Sequence, residues 1–398
     1  MRHVDLWSEE GIDFEIEVPG RDDAVRYTRI PLFSIWPRLL DGIVSSFSLW
    51  RSHEKFAGAI SIPFRARRII FYASSFAEGA RLRGYLRLTS VTPRSHVADI
   101  QISDGNGNLL IHFKGWEEIC ERVPPEYQQF ILRPSEKFLT HELPLSLLGN
   151  PSTPIAASVA TNVPFKIFEN NQEIWLKTLA YVLLAPAERE EWLEMQGATS
   201  RRVEWLFGRA VAKESARRYL QKYHQARWTA ADIPIWADDS GKPHPLGPWR
   251  EHTSARIDLS IAHTSKLIVA AVAANARIGI DIEAVGRDLT EDFTKGVFTH
   301  EELELAAHTG EAPVAMLRFW CAKEAISKAL GTGIRYSPKD LHIVSYDAAT
   351  GQIQIELLGQ WLDPFKNLKG LRHAVFSSVF EGHAFASCML ANSLFEGG

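Results

Sequence analysis

The chain has 398 residues, 45% of them hydrophobic and 23% charged, a globular composition long enough for two or three units with cores of their own. Lys and Arg number 44 against 48 Asp and Glu, and the net charge of −4 argues against a broad nucleic-acid footprint. Apolar stretches such as 267–274 and 179–186 fall short of the ~20 residues a membrane span needs, and the opening Met-Arg-His-Val-Asp-Leu-Trp does not read as a signal peptide. Cys120, Cys321 and Cys388 are too scattered for a disulfide framework or a zinc cluster and suit a reducing, cytoplasmic setting.

The first 150 or so residues read as mainly β with one helix. Residues 37–50 carry Leu39, Leu40, Ile43, Val44 and Phe47 at helical spacing. Short β-branched or aromatic runs follow at 60–64 and 68–73, and 83–91 and 96–102 alternate as half-buried strands do. Asp104-Gly105-Asn106-Gly107 marks a hairpin, and 109–113 resumes a strand. A helix wrapped by an antiparallel sheet suits this pattern. Prolines punctuate 134–170, read as a linker or seam between a domain at 1–150 and another at 151–398. Helices are predicted over 187–195 and from 201 to about 224, the second capped by Ser200 and made basic by Arg201, Arg202, Arg209, Lys213, Arg217 and Arg218. Strands are predicted at 257–261, 267–274 and 278–283, then a helix at 313–330, then strands at 353–358, 375–379 and 384–390.

The chemistry concentrates in two segments. In Arg277-Ile278-Gly279-Ile280-Asp281-Ile282-Glu283, strand alternation sends the three isoleucines to the core and puts Gly279, Asp281 and Glu283 on the other face. Two carboxylates so placed repel unless a cation sits between them, and Mg²⁺ takes such oxygen ligands. Gly279 leaves room for a ligand to approach the backbone. In the second segment, Phe319-Trp320-Cys321-Ala322-Lys323-Glu324 with Lys328, the bland reading is a surface Glu324–Lys328 pair. The functional one makes Glu324 a third carboxylate near the metal, with Lys328 on a phosphate and Lys323 on another part of the substrate. Cys321 sits among apolar helix neighbours with no base in view and does not read as a nucleophile.

These two segments, with forty-two residues from Asp281 to Lys323, resemble the paired signature of Sfp-type 4′-phosphopantetheinyl transferases. Ser240-Gly241-Lys242-Pro243 resembles that family's Gly-Lys-Pro segment. Ser260-Ile261-Ala262-His263-Thr264 resembles its Ser-His-Ser segment, with Ala262 and Thr264 where serines are usual. The basic helix from Arg201, with Trp205 and Gly208, is similar to one in the family's first half. The resemblance covers roughly 165–395. It implies an α+β fold, a pseudo-twofold pair of similar α/β halves near 160–270 and 271–398, with coenzyme A and Mg²⁺ between them. It further implies transfer of the phosphopantetheine arm to a serine of an apo acyl or peptidyl carrier protein, releasing adenosine 3′,5′-bisphosphate. Asp281, Glu283 and Glu324 would hold Mg²⁺, and Glu324 or a water on the metal would accept the serine proton. Lys328, Lys323 and His263 would contact phosphates, Lys242 and Pro243 would flank the adenine, and Arg202, Arg209 and Lys213 would reach the 3′-phosphate.

More weakly, residues from about 20 to 125 resemble the second hotdog of polyketide-synthase dehydratases. Leu39-Leu40-Asp41-Gly42 matches the segment whose Asp opens the central helix, but Ser45 stands where Gln or His is usual and no His-x-x-x-Gly-x-x-x-x-Pro segment precedes it. A hotdog-like scaffold or docking domain is expected, serving polyketide or fatty-acid-type synthases. Two other classes compete: a decayed carrier-docking module and a Mg²⁺-dependent phosphohydrolase.

Overall fold

The computed structural model describes residues 3–20, 37–51, 59–122, 124–149, 151–161, 163, 168, 173–264 and 266–395. The chain divides into two compact units, 1–129 and 130–398. The division falls earlier than the seam expected at 134–170, because the prolines there interrupt segments that belong to the second unit's own sheet. Part of that expected seam, 150, 162, 164–167 and 169–170, lies outside the described residues.

The first unit begins with β1 (His3–Ser8) and β2 (Gly11–Glu17), continues through helix α1 (Pro37–Arg51), and then runs β3 (Ala59–Phe71), β4 (Arg81–Val91), β5 (Ser95–Ser103) and β6 (Leu109–Arg122). All pairings are antiparallel, in the order β1-β2-β4-β5-β6-β3. The two short runs expected at 60–64 and 68–73 are one strand, β3, with a register shift between Pro63 and Arg65 that accommodates a residue lacking an N–H. The helical spacing of Leu39, Ile43, Phe47 and Trp50 buries one stripe of α1 against Ile12, Phe14, Leu86, Ile100 and Phe113 from the sheet. This is the helix-on-sheet arrangement of a hotdog.

Helix α2 (Pro125–Leu132) leads into the second unit. There β7 (His141–Glu142) and β8 (Ile155–Thr161) are followed by α3 (Ile174–Leu183), α4 (Pro186–Glu194), α5 (Thr199–His224), β9 (Ile235–Ala237), β10 (Pro243–Pro245), β11 (Ile257–His263) and β12 (Leu267–Ala274). The same succession then recurs: β13 (Ala276–Ala284), α6 (Glu291–Val297), α7 (His300–Ala307), α8 (Ala312–Leu330), β14 (Leu341–Asp347), β15 (Gln352–Leu357), β16 (Arg372–Phe380) and β17 (His383–Ala391). In the first half β12 lies between β11 and β8; in the second, β17 lies between β16 and β13. The two halves are therefore one α/β pattern used twice, joined at Asn275, whose φ of 56° makes the tight turn. Strand β8, not anticipated, is a run of small side chains almost wholly buried beside β12, where alanine and serine suit close sheet-to-helix packing. Ser200 does not cap α5. The N-cap is Ala198, with no side-chain cap bond, and Ser200 falls inside the helix.

The isoleucines of β13 pack on Val159, Val269, Ala271 and Phe385 in a core between the two sheets. The opposite face of β13 lies against α8, which places Gly279, Asp281 and Glu283 beside that helix.

Candidate active site

The site begins with a glycine. A Cβ on Gly279 would lie 1.9 Å from the carbonyl oxygen of Ala325 and 2.5 Å from the nitrogen of Ala329. The space expected for a ligand is thus filled by helix α8, whose alanines rest on the strand backbone. This close approach brings Lys328 to Asp281, with Nζ donating to Oδ1 at 2.7 Å. One helical turn earlier, Glu324 faces the same strand.

Asp281, Glu283, Trp320, Glu324 and Lys328 line one wall of a cleft of about 290 Å³, and Ile261, Ala262 and His263 at the end of β11 line the other. The second half supplies the charged wall and the first half the histidine. His263 is exposed. The neighbouring Thr264 hydroxyl is 3.3 Å from Nε2 of His383 on β17, and it accepts the N–H of Leu267.

The electrostatics follow from partial burial of like charges. Burial, then the charges of Asp281 and Glu283, push the Glu324 carboxyl up to about 7, against the opposing pull of Lys328 and Arg287. For Lys328, burial disfavours the charge, but Asp281 and Glu324 outweigh it and hold the ammonium above its ordinary value. Burial, with the nearby Asp281 and Glu283, pushes the Cys321 thiol far up, so it is no nucleophile at neutral pH.

Among the described residues, no three His, Cys, Asp or Glu side chains converge on a common metal position as they stand. The expected convergence of Asp281, Glu283 and Glu324 is therefore corrected to a shared cleft wall. Asp281 is turned to Lys328, and Glu283 is held by Arg287 and by the indole N–H of Trp320 at 3.2 Å. The donor chemistry nonetheless fits a divalent cation. Three carboxylates face one opening, Glu324 has no ion pair among the described residues, and its proton affinity is raised by burial first and by Asp281 and Glu283 after it. Arg287 and the Trp320–Glu283 bond were not foreseen; Arg287, four residues past Glu283, was the available signal.

Several expected contacts lie elsewhere. Lys323 is fully buried and donates to Glu302 at 2.8 Å and to the carbonyls of Val297 and Pro338 at 3.1 and 2.9 Å, so it cannot reach a substrate in the cleft. Lys213 is likewise fully buried, paired with Glu188 and donating to the carbonyl of Ala230 at 3.2 Å. Arg202 pairs with Glu173 and stacks over Trp192, and half-buried Arg209 lies over Trp205 at 4.6 Å. Neither lines the cleft. Lys242 donates to Asp258 at 2.8 Å and to the carbonyl of Lys328 at 3.2 Å, while Pro243 opens β10 opposite Ala237. Both sit near the end of α8, outside the cleft lining.

Lys213 and Lys323 are one device repeated. Each projects from the long helix of its half to a glutamate near the start of a short helix, Glu188 or Glu302. That glutamate accepts the N–H of its own helix cap, Ala185 or Thr299, and the N–H of a strand residue, Ile235 or Ile343. Each lysine also meets the carbonyl that opens a 3₁₀ turn, Ala230 or Pro338. By the same correspondence Glu214 answers Glu324, and Arg218 answers Lys328, but Arg218 meets the Ser158 hydroxyl at 3.1 Å where Lys328 meets Asp281. Glu214 is buried and fully occupied by the N–H groups of Leu139 and Thr140 and the Thr140 hydroxyl. The pairing of a cleft-facing carboxylate with a lysine is confined to the second half.

In the first unit, Asp41 is exposed on α1, and Ser45 donates its hydroxyl to the carbonyl of Asp41 at 2.7 Å, an ordinary helix contact.

Comparison with known proteins divides along the same line. Residues 277–385 match the model of the 4′-phosphopantetheinyl transferase superfamily, and residues 1–120 match that of the polyketide synthase dehydratase N-terminal domain. The latter corrects the likeness to a second hotdog. The holo-[acyl-carrier-protein] synthase of Hydrogenovibrio crunogenus is 30% identical over 122 residues, covering 29% of this chain and 95% of that protein. That of Caldicellulosiruptor saccharolyticus is 31% identical over 118 residues, covering 29% and 94%. Among solved structures, a holo-(acyl-carrier-protein) synthase from Bacillus anthracis, in complex with CoA (3′,5′-ADP), is 25% identical, covers 31% of this chain and 95% of its own, and has a TM-score of 0.24. The dehydratase domain from the CurJ module of curacin polyketide synthase is 23% identical, covering 29% and 38%, with a TM-score of 0.23.

Proposed function

Because the chain belongs to the 4′-phosphopantetheinyl transferase superfamily, we propose that its second unit moves the phosphopantetheine arm of coenzyme A to a serine of an apo acyl or peptidyl carrier protein, in the manner of a holo-[acyl-carrier-protein] synthase. The observation that carries this reading is the wall of Asp281, Glu324 and Lys328 facing His263 across one cleft. The serine oxygen forms a bond to the β-phosphorus of coenzyme A, the bond from that phosphorus to the bridging oxygen breaks, and adenosine 3′,5′-bisphosphate leaves.

Each group has a task that its surroundings permit. Glu324, whose proton affinity burial and the neighbouring carboxylates raise, or a water on the metal, is the group placed to accept the serine proton. Lys328, held charged by Asp281, offers its ammonium to a phosphate oxygen, and exposed His263 meets the phosphates from the other wall. Trp320 and Arg287 orient Glu283. Mg²⁺, with Asp281, Glu283 and Glu324 as its oxygen donors, would neutralise the diphosphate. The dehydratase-like first unit points to a carrier belonging to a polyketide or fatty-acid-type synthase. As for location, no helix among the described residues is long and apolar enough to cross a membrane.

The test is mass spectrometry of candidate apo carriers incubated with the protein, coenzyme A and Mg²⁺. An increase of ~340 Da on the carrier, the mass of the group whose phosphate is transferred, supports the reading. Release of adenosine 3′,5′-bisphosphate with no carrier present would instead establish a phosphohydrolase.

A further inference from the structure

The two walls of the cleft come from different halves of the second unit, and the strands that carry them, β11 and β13, belong to different sheets. Side chains, not a shared ladder, therefore tie one wall to the other. Near the strand starts Asp258 accepts the N–H of Ile278 at 2.7 Å, and two residues on Ser260 accepts the N–H of Ile280 at 3.0 Å. The next residue in that alternation is Ala262, which has no polar side chain, and there the cleft opens. Beyond it, at Thr264, the halves meet again. The Thr264 hydroxyl lies 3.3 Å from Nε2 of His383, which stands in register with Ala284, the residue after Glu283. Along the strands the cleft is thus bounded by one tie at Ser260 and another at Thr264, with His263 between them.

The second tie is fixed at both ends. His383 is buried. The turn that leads into it, Glu381-Gly382, joins β16 to β17 with φ of 48° and 70°, as a tight two-residue hairpin requires. Nδ1 of His383 lies 2.7 Å from the carbonyl oxygen of Glu381 in that turn. A carbonyl only accepts, so Nδ1 carries the hydrogen, and in an uncharged ring Nε2 is the acceptor. At the other end Thr264 Oγ1 accepts the N–H of Leu267 at 3.2 Å, and the Thr264 N–H donates to the Leu267 carbonyl at 2.7 Å. The hydroxyl hydrogen is left to donate, and Nε2 is within its reach.

We propose that His383 is a positioning residue: acting through the Thr264 hydroxyl, it sets the distance at which His263 faces the wall of Asp281, Glu324 and Lys328, and with it the grip of the cleft on a diphosphate. The inference rests on the reading of the cleft as a coenzyme A site. A hydrogen bond weakens steeply with misplacement, so a tie one residue from His263 is felt in binding even though it touches no substrate.

Calorimetric titration of the full chain with coenzyme A in the presence of Mg²⁺ tests it. Thr264→Val keeps the branched shape and removes the hydroxyl. It should weaken coenzyme A binding about fivefold, the weight of one hydrogen bond. Thr264→Ser, which keeps the hydroxyl, should restore binding. His383→Phe should give the same loss as Thr264→Val, and the two together no more than either alone. Because the tie acts through His263, Thr264→Val should change binding by less than about twofold when His263 is already alanine. If His383→Phe lowers the melting temperature, Thr264→Val, at a half-buried position, carries the comparison by itself. Three results overturn the proposal: a valine variant that binds as the parent does, a serine variant that binds as poorly as the valine one, or an undiminished loss in the His263→Ala background. The carrier mass shift is followed in parallel. A parent that modifies the carrier, with a valine variant that binds coenzyme A equally well, sinks the tie and keeps the transfer reading. A parent that shows the expected binding pattern but modifies no carrier keeps the tie and sinks the transfer reading.

Discussion

Replacing Lys213 with Met separates a structural lysine from a coenzyme A ligand. The Lys213 ammonium has no exposure and is paired with Glu188, whose carboxylate also accepts the N–H groups of Ala185 and Ile235. Methionine retains most of the apolar stem and removes the charge, leaving the Glu188 side chain in the core with only its two backbone partners. Breaking a buried pair in this way costs about 3–5 kcal/mol. In a unit of this size that lowers the melting temperature by on the order of 10 °C. A pH signature accompanies it. Burial, against the attraction of Glu188, pushes the Lys213 ammonium down to about 8 from its usual 10.5. Between those values the unfolded chain binds more protons than the folded one, so this lysine makes stability rise from pH 8 to 10.5, by up to roughly 3 kcal/mol. Below pH 8 the contribution is flat. Urea unfolding at pH 7.5 and 10, followed by tryptophan fluorescence, should show the parent gaining relative to Lys213→Met as pH rises. The KM for coenzyme A in carrier modification should be unchanged. A variant as stable as the parent, with that KM raised tenfold, would refute the reasoning and return Lys213 to the phosphate.

Asp281→Ala and Glu324→Ala should each lower carrier modification by roughly 10²–10³ or more, as loss of a group acting on transition-state charge does, with unchanged circular dichroism. Full activity of either at ordinary Mg²⁺ would contradict the assignment. Gly279→Ala should cost several kcal/mol, because its methyl group would overlap the backbone of Ala325 and Ala329. A melting temperature equal to the parent's would show that α8 does not rest on β13 as described. Asp41→Ala, at an exposed helix position, should leave carrier modification within about twofold of the parent; a large loss would give the first unit a part in transfer.

The elements with strong periodicity were legible. The isoleucine alternation of β13, the helix carrying Glu324 and Lys328, and the stripe of α1 all lie where hydrophobic spacing puts them, since that spacing records which face meets a core. Strand β8 was hidden by its neighbours. Five of its seven residues are alanine, serine or threonine, whose β signal is weak, and its identity as a strand depends on pairing with β12, far along the chain. The basic face of α5 misled for a related reason. A run of arginines and lysines looks solvated, yet Lys213, Glu214 and Arg217 are buried, meeting Glu188, the N–H of Leu139 and the carbonyl of Lys137 from other segments.

The sequence alone determined which groups are available for the proposed transfer and the strand and helix that carry them, because spacing along one element decides which side chains share its face. Only the tertiary structure decided which of the charged residues see solvent. Two lysines embedded in the same kind of motif have opposite fates: Lys323 is enclosed with Glu302, and Lys328, five residues on, opens to the cleft. The difference lies in what packs against each side of α8. A charge in the core persists only where a counter-charge from elsewhere in the chain meets it, and that meeting is a property of the fold.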